Sequence, residues 1–84
     1  MKAYTTQNLP GRNVYRGKYG NFEIRVVVGY DAASDAHIGH AYVTPQGQHE
    51  RKLHGASGGE YSLEQDAIDD TFLKAEQHID SGLY

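Results

Sequence analysis

The chain has 84 residues, a net charge of −3, 38% hydrophobic residues and no cysteine. That length holds one small core. The missing cysteines exclude disulfides and thiolate chemistry and fit a reducing compartment. Charge is unevenly spread, with seven Lys/Arg against four Asp/Glu in residues 1–54, and Lys74 against seven acids in residues 55–84. The chain is therefore electrically two-sided.

Met1–Asn13 contains no apolar run, which predicts neither a secretory signal nor a membrane span, and hence a cytoplasmic protein. Residues 1–12 are expected to be a flexible tail, and residues 13–84 a single α+β domain. From Val14 to Tyr30 the pattern is that of a β-hairpin. Phe22, Ile24, Val26, Val28 and Tyr30 alternate with Glu23, Arg25, Val27 and Gly29, the period of a half-buried strand. Gly20-Asn21 suits a two-residue turn. It sets Tyr19 opposite Phe22, Gly17 opposite Ile24 and Tyr15 opposite Val26, so the large side chains of both strands share one face. The other face carries Arg16, Lys18, Glu23, Arg25 and Val27.

Asp31–Ala36 is predicted to be a loop and His37–Thr44 a third strand. Pro45-Gln46-Gly47 suits a three-residue turn with Gly47 left-handed, leading into a fourth strand over Gln48–Leu53. This register sets His49 opposite Val43 and His54 opposite Ile38. Ala41, Val43 and Leu53 are assigned inward, and His40, Tyr42, Glu50 and Lys52 outward; a slip of one residue reverses that assignment. Gly55–Gly59 connects to the last element.

Ser62 to Leu83 predicts one amphipathic helix. Ser62 and Gln65 have the spacing of a capping box, and Glu64 and Asp66 suit the positive end of the helix dipole. Ile68, Phe72, Ala75 and Ile79 form one apolar stripe. Gly82 followed by Leu83 suits a Schellman end. The expected architecture is a three- or four-stranded antiparallel meander with one C-terminal helix on one face, a β-β-β-β-α two-layer sandwich.

Catalytic patterns lack their contexts. Gly55-Ala56-Ser57-Gly58-Gly59 matches G-x-S-x-G, but a nucleophile elbow needs a large parallel sheet. The same loop lacks the Lys-Ser/Thr of a phosphate-binding loop. His37 and His40 stand three apart on a strand and so point to opposite faces, which separates them as metal ligands. No enzyme, metal or cofactor is expected. Two surfaces stand out instead. Leu73 lies about 140° around the helix from Ile68, ringed by Asp66, Asp69, Asp70, Glu76, Gln77 and Asp80. An apolar anchor inside negative charge suits a basic protein partner. The open sheet face, with Arg16, Lys18, Arg25, His40, Tyr42 and Lys52, offers basic and aromatic groups for nucleic acid. An unpaired edge strand allows either a monomer or a homodimer.

The plan resembles that of small stand-alone bacterial proteins with a Y-x-G start and an A-x(7)-A…I-D helix, here Tyr15-Arg16-Gly17, Ala67, Ala75 and Ile79-Asp80. It is also similar to HicB-type antitoxins, which have a partial double-stranded-RNA-binding fold and a helix that often begins S-x-E-x-A. Here that stretch is Ser62-Leu63-Glu64-Gln65-Asp66-Ala67, with the alanine one residue later. The resemblance implies a small neutralising partner, an antitoxin or immunity protein directed at a nuclease-like toxin.

Overall fold

The computed structural model describes Thr5–Leu9 by their backbone and residues 12–84 in full. The elements are β1 (Thr5–Leu9), β2 (Arg12–Tyr19), β3 (Phe22–Asp31), β4 (Ala36–Pro45), β5 (Arg51–Leu53), a 3-10 turn (His54–Ala56), β6 (Gly59–Tyr61) and α1 (Glu64–Asp80). The strands form one antiparallel sheet in the order β1-β2-β3-β4-β5, with β6 also on β4. One helix packs across one face, so the α+β meander-plus-helix architecture is the one that forms.

The hairpin has the register its turn dictates: Tyr19 pairs with Phe22, Gly17 with Ile24 and Tyr15 with Val26. Gly20 takes φ +60, while Asn21 stays at negative φ. Alternation then sends Ile24, Val26 and Val28 inward, each no more than 2% exposed. Ala41, Val43 and Leu53 join them from the neighbouring strands, and Ala67, Ile68, Phe72, Ala75 and Ile79 meet them from the helix. Full burial of a side chain such as Phe72 or Ile68 stabilises by about 1.5–3 kcal/mol. Small residues let the layers close. A Cβ on Gly39 would lie 2.1 Å from Thr71 Oγ1, so the helix sits directly on the bare backbone of β4.

Four expectations are corrected. The stretch 1–12, expected as a tail, contains strand β1, paired with β2 from Thr5↔Arg16 to Leu9↔Arg12; the remaining residues of that stretch lie outside those described, apart from Arg12, which opens β2. The fourth strand is shorter than Gln48–Leu53 and its register is shifted. Val43 pairs with Arg51, and Ala41 with Leu53, because Gln48 closes the turn through its N–H to the Pro45 carbonyl at 3.0 Å and Glu50 reaches over the sheet to Arg25. The shift is two residues, so the inward and outward sets are unchanged. The helix starts at Glu64, without the Ser62 capping box. Its N-cap is Leu63, in extended conformation and with no side-chain cap bond. The cause is β6, which pairs His37 with Tyr61, so that the strand runs up to Tyr61 and the chain bends at Ser62 and Leu63 before the helix. Asn13 Nδ2 instead donates to Glu64 Oε2 at 2.8 Å, tying the first turn to β2. Finally, the Gly55–Gly59 connector does not run straight into the helix, since Gly59 opens β6.

The far end of the helix closes as its sequence predicts. Leu83 N–H donates to His78 O at 2.8 Å and Gly82 N–H to Ile79 O at 3.1 Å, with Gly82 at φ +72. These are the two bonds of a Schellman motif.

Candidate functional site

The outer face of α1 follows from the helical period. With Ile68, Ala75 and Ile79 held against the sheet, residue 73 must point away. Leu73 is 50% exposed. Together with Tyr61, Asp66, Asp69 and Asp70 it lines a shallow hollow. Asp66 and Asp69 are exposed, and Asp69 accepts a bond from Gln65 Nε2 at 2.9 Å. Asp70 is half-buried and accepts from the Tyr61 hydroxyl. Lys74 Nζ lies 3.1 Å from Asp70 Oδ2 and donates to the Tyr61 oxygen. The Tyr61 hydroxyl, and then Lys74, hold the Asp70 carboxyl below the usual range. Burial and the bond to Asp70 push the Tyr61 phenol up.

Of the seven helix residues predicted, Asp66, Asp69, Asp70 and Leu73 come together in this hollow. Gln77 and Glu76 lie one turn further along. Asp80 is drawn to the sheet margin, where it accepts the Tyr19 hydroxyl at 2.8–2.9 Å. Tyr61 and Lys74 were not predicted. The Asp70/Lys74 spacing of four was the available signal for Lys74; nothing local marked Tyr61, which reaches the site only because β6 pairs with β4.

On the opposite side of the molecule, the outer sheet face aligns Arg16, Arg25, Tyr42 and Lys52 in one cross-strand row. Arg25 is committed. Its Nε and Nη2 each donate to a Glu50 oxygen at 2.9 Å, and its Cζ stands 4.2 Å from the Tyr42 ring centroid. The guanidinium in turn holds the Glu50 carboxyl below its usual range. Arg16 lies 3.8 Å from Glu23. A hollow of about 420 Å³ opens beside this row, lined by Arg12, Val14, Arg25, Val27, His40, Tyr42 and Lys52. Of the six residues predicted for this face, Arg25, His40, Tyr42 and Lys52 therefore converge. Arg16 lies alongside them, and Lys18 belongs to the hairpin end, next to Gly20 and Phe22. Arg12 was assigned to the tail and so missed. Burial, and secondarily Lys52, lower the His40 pKa, and its Nδ1 is buried with no hydrogen-bond partner among the described residues.

Ser57, the serine of G-x-S-x-G, is a structural bridge. Its hydroxyl accepts from Ala41 N–H at 2.9 Å and donates to Leu53 O at 2.7 Å, filling the gap between β5 and β6 on the edge of β4. His37 and His40 fall on opposite faces of β4, as alternation requires. Among the described residues no three His, Asp or Glu side chains gather as a metal site, and no helix is long and apolar enough to cross a membrane. No protein-family model matches the chain, and searches of curated proteins and of solved structures likewise give no match.

Proposed function

We propose that the protein is a non-catalytic binding module that holds a basic protein partner on the outer face of α1, in the manner of an antitoxin or immunity protein that neutralises a nuclease-like toxin. One observation carries this: Leu73 stands half-exposed, turned away from the core stripe, in a hollow shared with Tyr61 and three carboxylates. A partner Lys or Arg suits that hollow, its alkyl stem lying on Leu73 and Tyr61 and its charged head beside Asp66 and Asp69. Asp70 is already matched by Lys74, which leaves the other two acids available to the partner. The apolar centre supplies holding energy, while the surrounding negative charge speeds encounter and selects cationic surfaces.

The test is calorimetric titration of the product of the adjacent gene into wild type and into Leu73→Arg/Asp69→Lys. Both altered side chains are exposed, so the fold is retained, as circular dichroism will verify. Loss of binding by about 100-fold or more, equivalent to about 2.7 kcal/mol, is expected; unchanged affinity rejects this surface.

A second proposal, single-stranded nucleic acid on the outer sheet face, draws on the convergence of His40, Tyr42 and Lys52. It is weaker because Glu50 neutralises Arg25, Glu23 shares the face, and phosphate affinity depends on uncompensated cations.

A further inference from the structure

Two cations on the outer sheet face, Arg12 and Lys52, have no acidic partner among the described residues. They rim the same hollow from β2 and β5. Its floor is apolar: Val27 is partly exposed there, and its partner in register, Val14, lies beneath the surface at 4% exposure. An apolar floor between two separated positive charges is the complement of an apolar side chain flanked by carboxylates. The molecule carries that complement on its other side, where Leu73 stands with Asp66 and Asp69. Arg25 and Glu50 compensate one another, so the hollow offers two spaced charges rather than a continuous cationic track for a phosphate backbone.

We infer that this hollow docks the acidic helix face of a second copy of the chain, with Leu73 over Val27, and Asp66 and Asp69 toward Arg12 and Lys52. The inference rests on the helix-face surface proposed above. Hollow and helix lie on opposite sides of the sheet, so the contact joins unlike surfaces of the two copies. Each docked pair keeps one free hollow and one free helix face, and association is open-ended rather than a closed dimer. A foreign basic partner and a second copy compete for the same carboxylates, so capturing the partner dissolves the stack.

The experiment is sedimentation velocity on the full chain from micromolar to millimolar concentration. Between about 0.01 M and 1 M salt the screening length falls from about 30 Å to about 3 Å. Wild type is expected to self-associate at low salt and to weaken at least tenfold at high salt. Leu73→Arg/Asp69→Lys, which spoils the helix face, and Arg12→Ser/Lys52→Ser, which spoils the hollow, are each expected to be monomeric alone. Mixed, they form a one-to-one pair that grows no further, because only one intact hollow and one intact helix face remain per pair. The inference is overturned by a wild type that stays monomeric at low salt, by association that survives either variant, or by variants that fail to pair when mixed. Binding of a single-stranded oligonucleotide that Arg12→Ser/Lys52→Ser abolishes, without self-association, overturns it in favour of nucleic acid. Arg12→Ser/Lys52→Ser leaves the helix face intact, so its titration with the adjacent gene product tests the proposed function independently. Binding retained while wild type stays monomeric refutes the stacking alone.

Discussion

Replacing Gly39 by alanine tests how closely the helix must sit on the sheet. An added Cβ would lie 2.1 Å from Thr71 Oγ1, 3.2 Å from Thr71 Cβ and 3.3 Å from the Ala67 carbonyl oxygen. The first contact falls more than 1 Å short of the roughly 3.5 Å at which such atoms rest. Thr71 is 1% exposed, so it cannot swing into solvent, and the Ala67 oxygen is fixed by the helix. The helix must therefore lift from β4 and loosen Phe72 and Ala75, a cost of about 1–3 kcal/mol for overpacking. Alanine also stiffens the unfolded chain, which returns about 0.4–1 kcal/mol. The net loss is about 1–2 kcal/mol, or about 4–16 °C in Tm for a domain of this size. Urea unfolding followed by circular dichroism measures it. The double variant Gly39→Ala/Thr71→Ala removes the worst contact, so its loss should be smaller than the sum of the two single losses by about 1 kcal/mol. Wild-type stability in Gly39→Ala, or strict additivity of the pair, refutes the close-approach account.

Three further predictions use the same unfolding assay. Leu63 is the N-cap with no side-chain cap bond and is 61% exposed, so Leu63→Asp is expected to stabilise by about 0.5–2 kcal/mol, whereas Ser62→Ala changes stability by less than about 0.5 kcal/mol; the reverse order places the helix start at Ser62. Ser57→Ala strands Ala41 N–H and Leu53 O at the β5–β6 gap and is expected to cost about 1–3 kcal/mol, with no change in partner affinity in the calorimetric titration. Asp70 has its folded pKa lowered by Tyr61 and then Lys74, so its contribution is present above the ordinary carboxylate range and is lost as pH falls through the folded value; Tyr61→Phe should shrink the loss of stability between about pH 5 and pH 2, and an unchanged acid profile removes Tyr61 from that role.

Local chemistry made much of the fold legible. Gly20 and the alternation from Phe22 to Tyr30 fixed each other, since only one register puts Tyr15, Tyr19, Ile24 and Val26 on one side. Gly82 and the Ile68/Phe72/Ala75/Ile79 stripe likewise marked the end and inner face of the helix. The errors lie where a distant partner outweighed a local signal. Ser62 and Gln65 have capping-box spacing, but pairing of Tyr61 with His37 carries the strand to the residue before Ser62, and the helix starts only at Glu64. Pro45-Gln46-Gly47 closes as a tight turn, but the Arg25–Glu50 pair lies beyond it, and strand pairing resumes only at Arg51. Thr5–Leu9 carries no strong alternation and becomes a strand because β2 offers it an open edge. The site divides in the same way. Leu73 and its neighbouring acids follow from helical period, and Val14 from the hairpin register, whereas Tyr61 reaches its hollow through a β6–β4 pairing that no short stretch of sequence encodes, and Arg12 lay just before the stretch read as the hairpin.

The layering also separates what holds the fold from what faces a partner. Gly39, Ala67, Thr71 and Ala75 set the distance between helix and sheet, and none of them reaches either outer surface. Leu73, Asp66, Asp69, Arg12 and Lys52 lie on those surfaces, and none belongs to the core cluster. Surface substitutions away from caps and buried networks usually change stability by less than about 0.5 kcal/mol, whereas losing a central anchor of an interface costs about 2 kcal/mol or more in binding. Binding and stability should therefore move independently across these two sets. A core variant such as Gly39→Ala lowers the unfolding midpoint while leaving the affinity of the folded fraction intact. Leu73→Arg/Asp69→Lys does the opposite. A surface variant that unfolds the chain in step with its loss of binding would show that the outer helix face is part of the scaffold rather than a place where a partner sits.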